Sequence, residues 1–571
     1  MKLTGFLFAA ALLGACTQPA AEENYTRHVD PKIGTGGHGH VFVGANVPFG
    51  LVQVGPTSIP QTWDWCSGYH ASDSTVIGFS HTHLSGTGIG DLFDVTVMPV
   101  TGDVTYARGE EADPASGLWS YADRTQEIAR PGYYSVPLTR YGIRAELTAT
   151  ARVGLHRYTF PASDAAAVVF DLENGGCWDK ATETHLAKEG DRTVTGWRHS
   201  TGWAKDQRVY FAAEFSKPFE KFETIGDNYA RASFRTTDGE QVSLKVALSP
   251  VSIEGAKANL AAELSGWDFD ATAKAADKAW NDELSKVKIE TADETARRIF
   301  YTALYHTMIA PSLFCDVNGD YRGADGKVHT ASGFTNYTTF SLWDTYRAAM
   351  PLMTILHPER MPDIVRTMLA MADEQGRLPV WHLWGNETDC MVGNPGIPVV
   401  ADAIVKGIEG FDREKAFEAI KKTAMNPDRG NGLRMKYGYI PCDLFNEAVA
   451  YDMEYALADG AAARAAEALG RTEEANYFTE RSHSYRNCFD PATRFMRGRD
   501  SKGGWRTPFN PFASTHRADD YCEGNAWQYT WLVPHDVEGL VGCFGGREEM
   551  LGKLDSLFTV SSVVEGAETS P

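Results

Sequence analysis

Four stretches gather residues that a fold alone does not require. They are Gly34–Gly50 (GTGGHGHVFVGANVPFG), Trp63–Asp91 (WDWCSGYHASDSTVIGFSHTHLSGTGIGD), Asn336–Arg347 (NYTTFSLWDTYR) paired with Val380–Cys390 (VWHLWGNETDC), and Asp519–His535 (DDYCEGNAWQYTWLVPH). They draw on Trp, His, Asp, Glu and Asn within a few residues of one another, and nearby glycines let backbone approach a ligand closely. A single buried Trp or His is usually a core residue. Four such clusters in one chain point instead to a polar pocket with aromatic walls. His81 and His83, at i and i+2, offer either metal ligands or hydrogen bonds.

Other motifs fall away on inspection. Asp316-Val-Asn318-Gly319-Asp320 opens like a calcium loop, but Tyr321 and Lys327 stand where that loop needs Gly and Glu. Asn318-Gly319 reads better as a hairpin turn between short strands. Gly34-Thr-Gly36-Gly-His38-Gly39 lacks the strand–helix context of a dinucleotide site. There is no C-x-x-C pair, and most of the nine cysteines read as buried free thiols.

The 571 residues are 43% apolar and 23% charged, which excludes a disordered chain and a multi-span membrane protein. The net charge is -21, with 75 acidic against 54 basic residues, so nucleic-acid phosphates are repelled and a nucleic-acid partner is excluded. Abundant aromatics, 11% of the chain, suit a neutral ring-shaped ligand such as a sugar.

The elements that must position the clusters change type along the chain. Residues 1–16, MKLTGFLFAAALLGAC, have a basic start and a short apolar run ending in small residues before Cys16. This reads as a lipoprotein signal with Cys16 as the lipidated residue, hence an exported bacterial protein held to a membrane only through its lipid. Residues 17–24 are a tether. Residues 25–265 read as a β-sandwich of short strands separated by turn residues, among them Tyr141–Phe160, Ala166–Leu172, Arg192–Trp197, Arg208–Phe215, Ala230–Arg235 and Gln241–Leu248. Residues 266–290 read as a helical linker. From 291 the apolar period is helical, with a capping box at Thr291/Glu294, a cap at Asp412, and helices over Phe445–Leu469, Thr472–Asn487, Glu523–Val533 and Glu548–Phe558. Nine or ten helices are expected in all. Tyr455–Tyr485 alone would suit a helical-repeat scaffold, which predicts no clustering of Trp, His and carboxyl groups.

The clusters resemble glycoside hydrolase family 92, the exo-α-mannosidases. The matching runs include VDPKIGTGGHGHVFVGANVPFG, GYHASDSTVIGFSHTHLSGTG, YHTMIAPSLF, NYTTFSLWDTYRA, LPVWHLWGNETDCM and EGNAWQYTWLVPHDV, spread from about residue 28 to 560. The resemblance implies a β-sandwich packed on an (α/α)6 barrel, with the site at their junction. It implies release of terminal α-linked mannose from glycans with inversion, aided by calcium. Inversion needs a carboxylic acid for the leaving oxygen and a carboxylate base for water, ~6.5–9.5 Å apart. The family's acid matches Glu523, whose neighbours Trp527 and Trp531 suit a desolvated carboxyl; its structural alternative is a helix N-terminal carboxylate. Asp344 matches the residue that holds mannose hydroxyls, its structural rival being an ion pair with Arg347. Trp65, His81 and His83 are expected to line the terminal-sugar subsite. Trp384, Asn386, Glu387 and Asp389 are expected to complete the pocket, with Arg347, Asn525 and Gln528 beside it.

One departure stands out. The family's segments that carry the general base and much of the calcium site have no match here, where the chain ends in TVSSVVEGAETSP. The resemblance therefore implies a C-terminally truncated barrel, unknown metal ligands, and a chain that is crippled as an enzyme or survives as a mannose-glycan-binding module.

Overall fold

The computed structural model describes residues 23–60, 62–113, 115–515, 517–561, 563 and 565. Cys16, its leader and most of the tether lie outside them. Two antiparallel sheets come first. One has eight strands, in the order Lys180–Glu189, Thr193–Thr201, Gln207–Phe215, Glu240–Ser249, Val153–Phe160, Ile143–Ala149, Tyr133–Leu138, Ile128–Arg130. The other has six, with Thr96–Thr101, Ser163–Asp171 and Tyr229–Thr236 at its centre. Period-two patterning sends Ile143, Ala145 and Leu147 to one face, where they are buried. Phe170 of the smaller sheet stacks on Phe211 of the larger at 6.0 Å and 17°, so the two inner faces share one core.

The last strand of the sandwich ends at Ser249, and Ile253–Glu263 is already a helix. The strand-rich reading to 265 missed it. Ser252 caps it by accepting a hydrogen bond from Gly255 N at 3.0 Å, and its Ala-rich sequence favours the helix. Phe269–Leu284 follows as a helix. Its Trp280 is fully buried and donates from Nε1 to Asn46 O at 2.7 Å, pinning the helix to the stretch that carries the first Gly/His cluster.

Among the described residues, twelve α-helices start at or after Glu294, two of them single turns of four residues. Asp293, not Thr291, caps the first: its carboxylate accepts from Thr295 N and Ala296 N, while Thr291 only turns the chain before it. Asp412 caps Arg413–Ala424 as expected. The helix Ala448–Ala468 runs through the middle of this half, with Val449, Met453 and Leu457 buried. Its alanines let Thr472–Ser482, Gly396–Val405 and Arg413–Ala424 pack closely around it. The helix expected over 523–533 shrinks to Ala526–Tyr529: Asn525 caps it, which leaves Glu523 before its start, and Pro534 bars its continuation through Val533. Asn318-Gly319 does form a turn, with Gly319 at φ +89°, but the strands on either side of it pair elsewhere. No helix of the described residues is long and apolar enough to cross a membrane.

Candidate active site

A cleft of about 650 Å³ lies between the sandwich and the helical half. The sandwich contributes His40, Trp63, Trp178, Trp203 and the loop 86–89. The helical half contributes Ser341, Asp344, Trp381, Met391, Arg517, Glu523 and Gln528. The Trp/His loops of one half and the carboxyl groups of the other therefore meet at one place.

Glu523 sits just before the short helix, in the left-handed region at φ +45°, which a non-glycine residue rarely occupies. Asn525 closes the helix start below it: its side chain accepts from Trp527 N at 3.0 Å, and Gln528 returns a bond to Asn525 N at 2.9 Å. Tyr529 OH donates to Cys522 O at 2.6 Å and fixes the preceding peptide. Burial raises the pKa of Glu523 above the usual carboxyl range, the negative charge of Asp344 raises it further, and Arg517 opposes both. The carboxyl is thus biased toward its protonated form, the state a general acid requires. Glu523 precedes the helix cap, so the helix-terminal alternative does not describe it.

Asp344 projects from the helical turn Leu342–Thr345 and accepts from Ser341 Oγ at 2.6 Å. It does not pair with Arg347. That guanidinium turns away and pairs with Glu454, whose carboxylate also accepts from Trp343 Nε1 at 2.9 Å and Tyr346 OH at 2.8 Å. Glu454 is buried on the central helix, and sequence reasoning missed it. Arg347 is therefore a support behind the site.

Several other expected residues are structural. His81 and His83 are fully buried within the sandwich. His81 bonds Val95 O at 2.6 Å and His156 Nε2 at 2.9 Å; His83 bonds Gln53 O at 2.8 Å. Desolvation drives their pKa values down to about 3 and about 4, so both are neutral. Trp65 stacks on His70 at 4.5 Å and donates to Asp73 at 2.8 Å, while Trp63 takes the cleft wall. Trp384 is buried against Phe314, and Asn386 ties its loop to both N–H and C=O of Asp206 on the sandwich. Glu387 accepts from Val380 N, Trp381 N and Asp389 N at 2.8–3.0 Å, and Asp389 pairs with Arg377. These residues build the wall that carries Trp381 and Met391 and do not themselves line the cleft.

Cleft residues that sequence reasoning missed include Trp63, Trp178, Trp203 and Arg517. Trp63 donates from Nε1 to Gly88 O at 2.9 Å, and the His40 ring meets it edge-on at 4.0 Å. Among the described residues, no group of three or more His, Cys, Asp or Glu side chains gathers as a metal site. Calcium takes ~6–8 oxygen ligands. The described cleft, with two carboxyl groups and Arg517 between its walls, does not supply them.

Models of two domains match the sequence: the glycosyl hydrolase family 92 N-terminal domain over residues 28–249, and the family's catalytic domain over 255–569. The chain belongs to glycosyl hydrolase family 92. It is a glycosidase. The structure of the family 92 α-mannosidase BT3965 from Bacteroides thetaiotaomicron, in complex with mannoimidazole, is 40% identical and superposes with a TM-score of 0.91, covering 95% of this chain and 75% of that one. The family 92 inverting mannosidase BT2199 from the same organism is 30% identical with a TM-score of 0.84, covering 93% of this chain and 74% of that one. A secreted glycosidase of Arthroderma benhamiae, described as uncharacterized, is 26% identical over 96% of this chain and 76% of its own length. The family 92 architecture of a β-sandwich followed by a helical domain is the one found here.

Proposed function

We propose that this chain is an exo-α-mannosidase that removes terminal α-linked mannose from glycans with inversion, with Glu523 as general acid. The observation that carries this is the pairing of a protonation-biased Glu523 with Asp344 in one aromatic-walled cleft. Glu523 passes its proton to the glycosidic oxygen as the bond to the anomeric carbon breaks. Asp344 accepts hydrogen bonds from sugar hydroxyls, and Trp63 and Trp178 wall the ring. The two mannosidases at 40% and 30% identity support the choice of sugar, and BT2199 supports inversion. Calcium belongs to this reading through the family resemblance alone, and no step here runs through it.

A second reading is a module that holds mannose glycans without turning them over. It is favoured by the absence, among the described cleft residues, of a third carboxyl group to activate water. One experiment separates the two: mannose release from an α-mannoside alongside calorimetric binding of mannoimidazole. Release that Glu523→Gln abolishes while binding persists supports the enzyme. Binding without release supports the second reading, and neither would sink both.

Export is supported by the leader-like start and by the description of the fungal relative as secreted. Lipid attachment at Cys16 is the finer reading, and the mass of the mature amino-terminal peptide tests it.

A further inference from the structure

A second hollow, of about 770 Å³, opens on the sandwich beside the cleft. Trp178 lines both, so the two meet at its indole. That ring packs against Gly90, where a Cβ would stand 2.8 Å from Trp178 Cδ2, and Trp178 N donates to Gly90 O at 3.2 Å. The residue is nevertheless 39% exposed. An indole braced on one part and open on the rest is a platform for the apolar face of a sugar.

Beyond Trp178 the hollow is polar. Asn174 Nδ2 donates to Asp171 Oδ2 at 2.7 Å and to Tyr229 OH at 3.1 Å, so both amide protons are spent, and Oδ1 accepts nothing among the described residues. Asn228 is set the other way. Its Oδ1 accepts from Thr184 Oγ1 at 2.7 Å, and its Nδ2 donates to nothing among the described residues. Lys180, exposed in the same lining, adds a further donor. An unspent acceptor beside unspent donors complements hydroxyls, which both donate and accept. Ions suit the hollow poorly. Four acidic residues line it against Arg108 and Lys180, which repels anions. Among the described residues, no three His, Cys, Asp or Glu side chains gather to hold a metal.

We propose that this hollow is a distal subsite that holds the remainder of a neutral glycan while its terminal sugar lies in the cleft. Trp178 is the stacking platform, and Asn174, Asn228 and Lys180 are the hydroxyl partners. The proposal rests on the reading of the cleft as a mannose site. A cleft that takes only the end of a chain must let the rest out past its wall, and Trp178 is the wall residue continuous with a polar hollow. At about 650 and 770 Å³, cleft and hollow each have the size of a ligand pocket, roughly 300–1,000 Å³.

Calorimetry tests this on the full chain carrying Glu523→Gln, which slows turnover. An α-linked mannobiose is compared with a mannotetraose of the same linkage. The tetraose is expected to bind about tenfold more tightly. Adding Asn228→Ala should remove most of that advantage and leave mannobiose affinity unchanged, so the mannobiose also reports that the variant is folded. Lys180→Ala, at an exposed position, is the second variant should the first fail to fold, and it should act in the same direction. Equal affinity for the two sugars, or no binding of the tetraose, overturns the distal subsite. So does a tetraose advantage that survives both variants, or a variant that weakens both sugars alike. If neither sugar binds and the wild-type chain releases no mannose, the mannose reading falls as well.

Discussion

Arg347 turns its guanidinium onto Glu454 and leaves Asp344, three residues before it, to the cleft. The two carboxyl groups thereby divide their duties. Glu454 is buried and anchors the turn Leu342–Thr345 through Trp343, Tyr346 and Arg347. Asp344 stands on that turn and, among the described residues, accepts from Ser341. Replacing Arg347 by Met removes the cation from a buried carboxylate whose remaining donors are neutral. The expected cost is about 1.5–3 kcal/mol, the range for hydrogen bonds to charged groups. Urea unfolding measures it, and an unchanged midpoint would show that the pair contributes nothing.

Glu523→Gln keeps the shape and removes the proton. Loss of general-acid help slows catalysis by roughly 10²–10⁴-fold. The expected outcome is that fall in kcat on an α-mannoside with a poor leaving group, with mannoimidazole affinity within a few-fold of wild type. A substrate whose leaving group needs no proton should be much less affected. Equal losses on both substrates would remove Glu523 from the acid's role.

The pH profile reports the neighbours of Glu523. The acid must be protonated, so the basic limb of kcat/KM follows its pKa. Asp344 pushes that pKa up and Arg517 pulls it down. Asp344→Asn should therefore move the basic limb to lower pH, and Arg517→Met should move it to higher pH. The position of the limb is the readout, because both variants also change its height. Shifts in the same direction for the two variants would contradict the electrostatics described here.

Trp63 and Trp65 are two residues apart and do different work. Trp63 faces the cleft; Trp65 is held by His70 and Asp73. Removal of an aromatic wall is expected to weaken mannoimidazole binding by about tenfold, or roughly 1.4 kcal/mol. Trp63→Ala should show that loss by calorimetry. Trp65→Ala should leave affinity unchanged and lower the melting temperature. The reverse pattern would restore Trp65 as the sugar's neighbour.

Much of this was legible in the residues themselves. Period-two runs located the sandwich strands, and Asp412 announced its helix, because both signals are local. The clusters also located the cleft, since Glu523, Asp344 and Trp63 all lie inside them. Orientation was not legible. In the turn Trp63–Trp65 the two Trp side chains diverge, and the sequence does not say which faces the ligand. His81 and His83 sit among cluster residues yet satisfy backbone carbonyls inside the sandwich. Glu387 and Asp389 look like pocket acids, but loop amides and Arg377 claim them. Glu454 was hidden because its partners are more than a hundred residues away.

The placement of His83 can be tested by stability instead of activity. Its ring lies between Phe42 and Phe93, with centroids 5.0 and 5.1 Å away, so phenylalanine is the aromatic replacement that keeps these contacts and cannot titrate. Burial lowers its pKa from 6.5 to about 4. Between those values an unfolded chain binds a proton there that the folded chain refuses, so His83 makes stability fall as pH drops from 6.5 toward 4. Asp91, Asp316 and Asp452, pushed up by burial to about 6, act in the opposite sense, because their folded forms take up protons first. Those carboxyl groups are present in wild type and in His83→Phe alike, so their contribution cancels in the comparison. The variant should therefore lose less stability between pH 7.5 and 5 than the wild type does, whatever the sign of the total. Urea midpoints at the two pH values measure this, and mannoimidazole affinity should not change. A variant that tracks the wild-type slope and loses binding would return His83 to the sugar subsite.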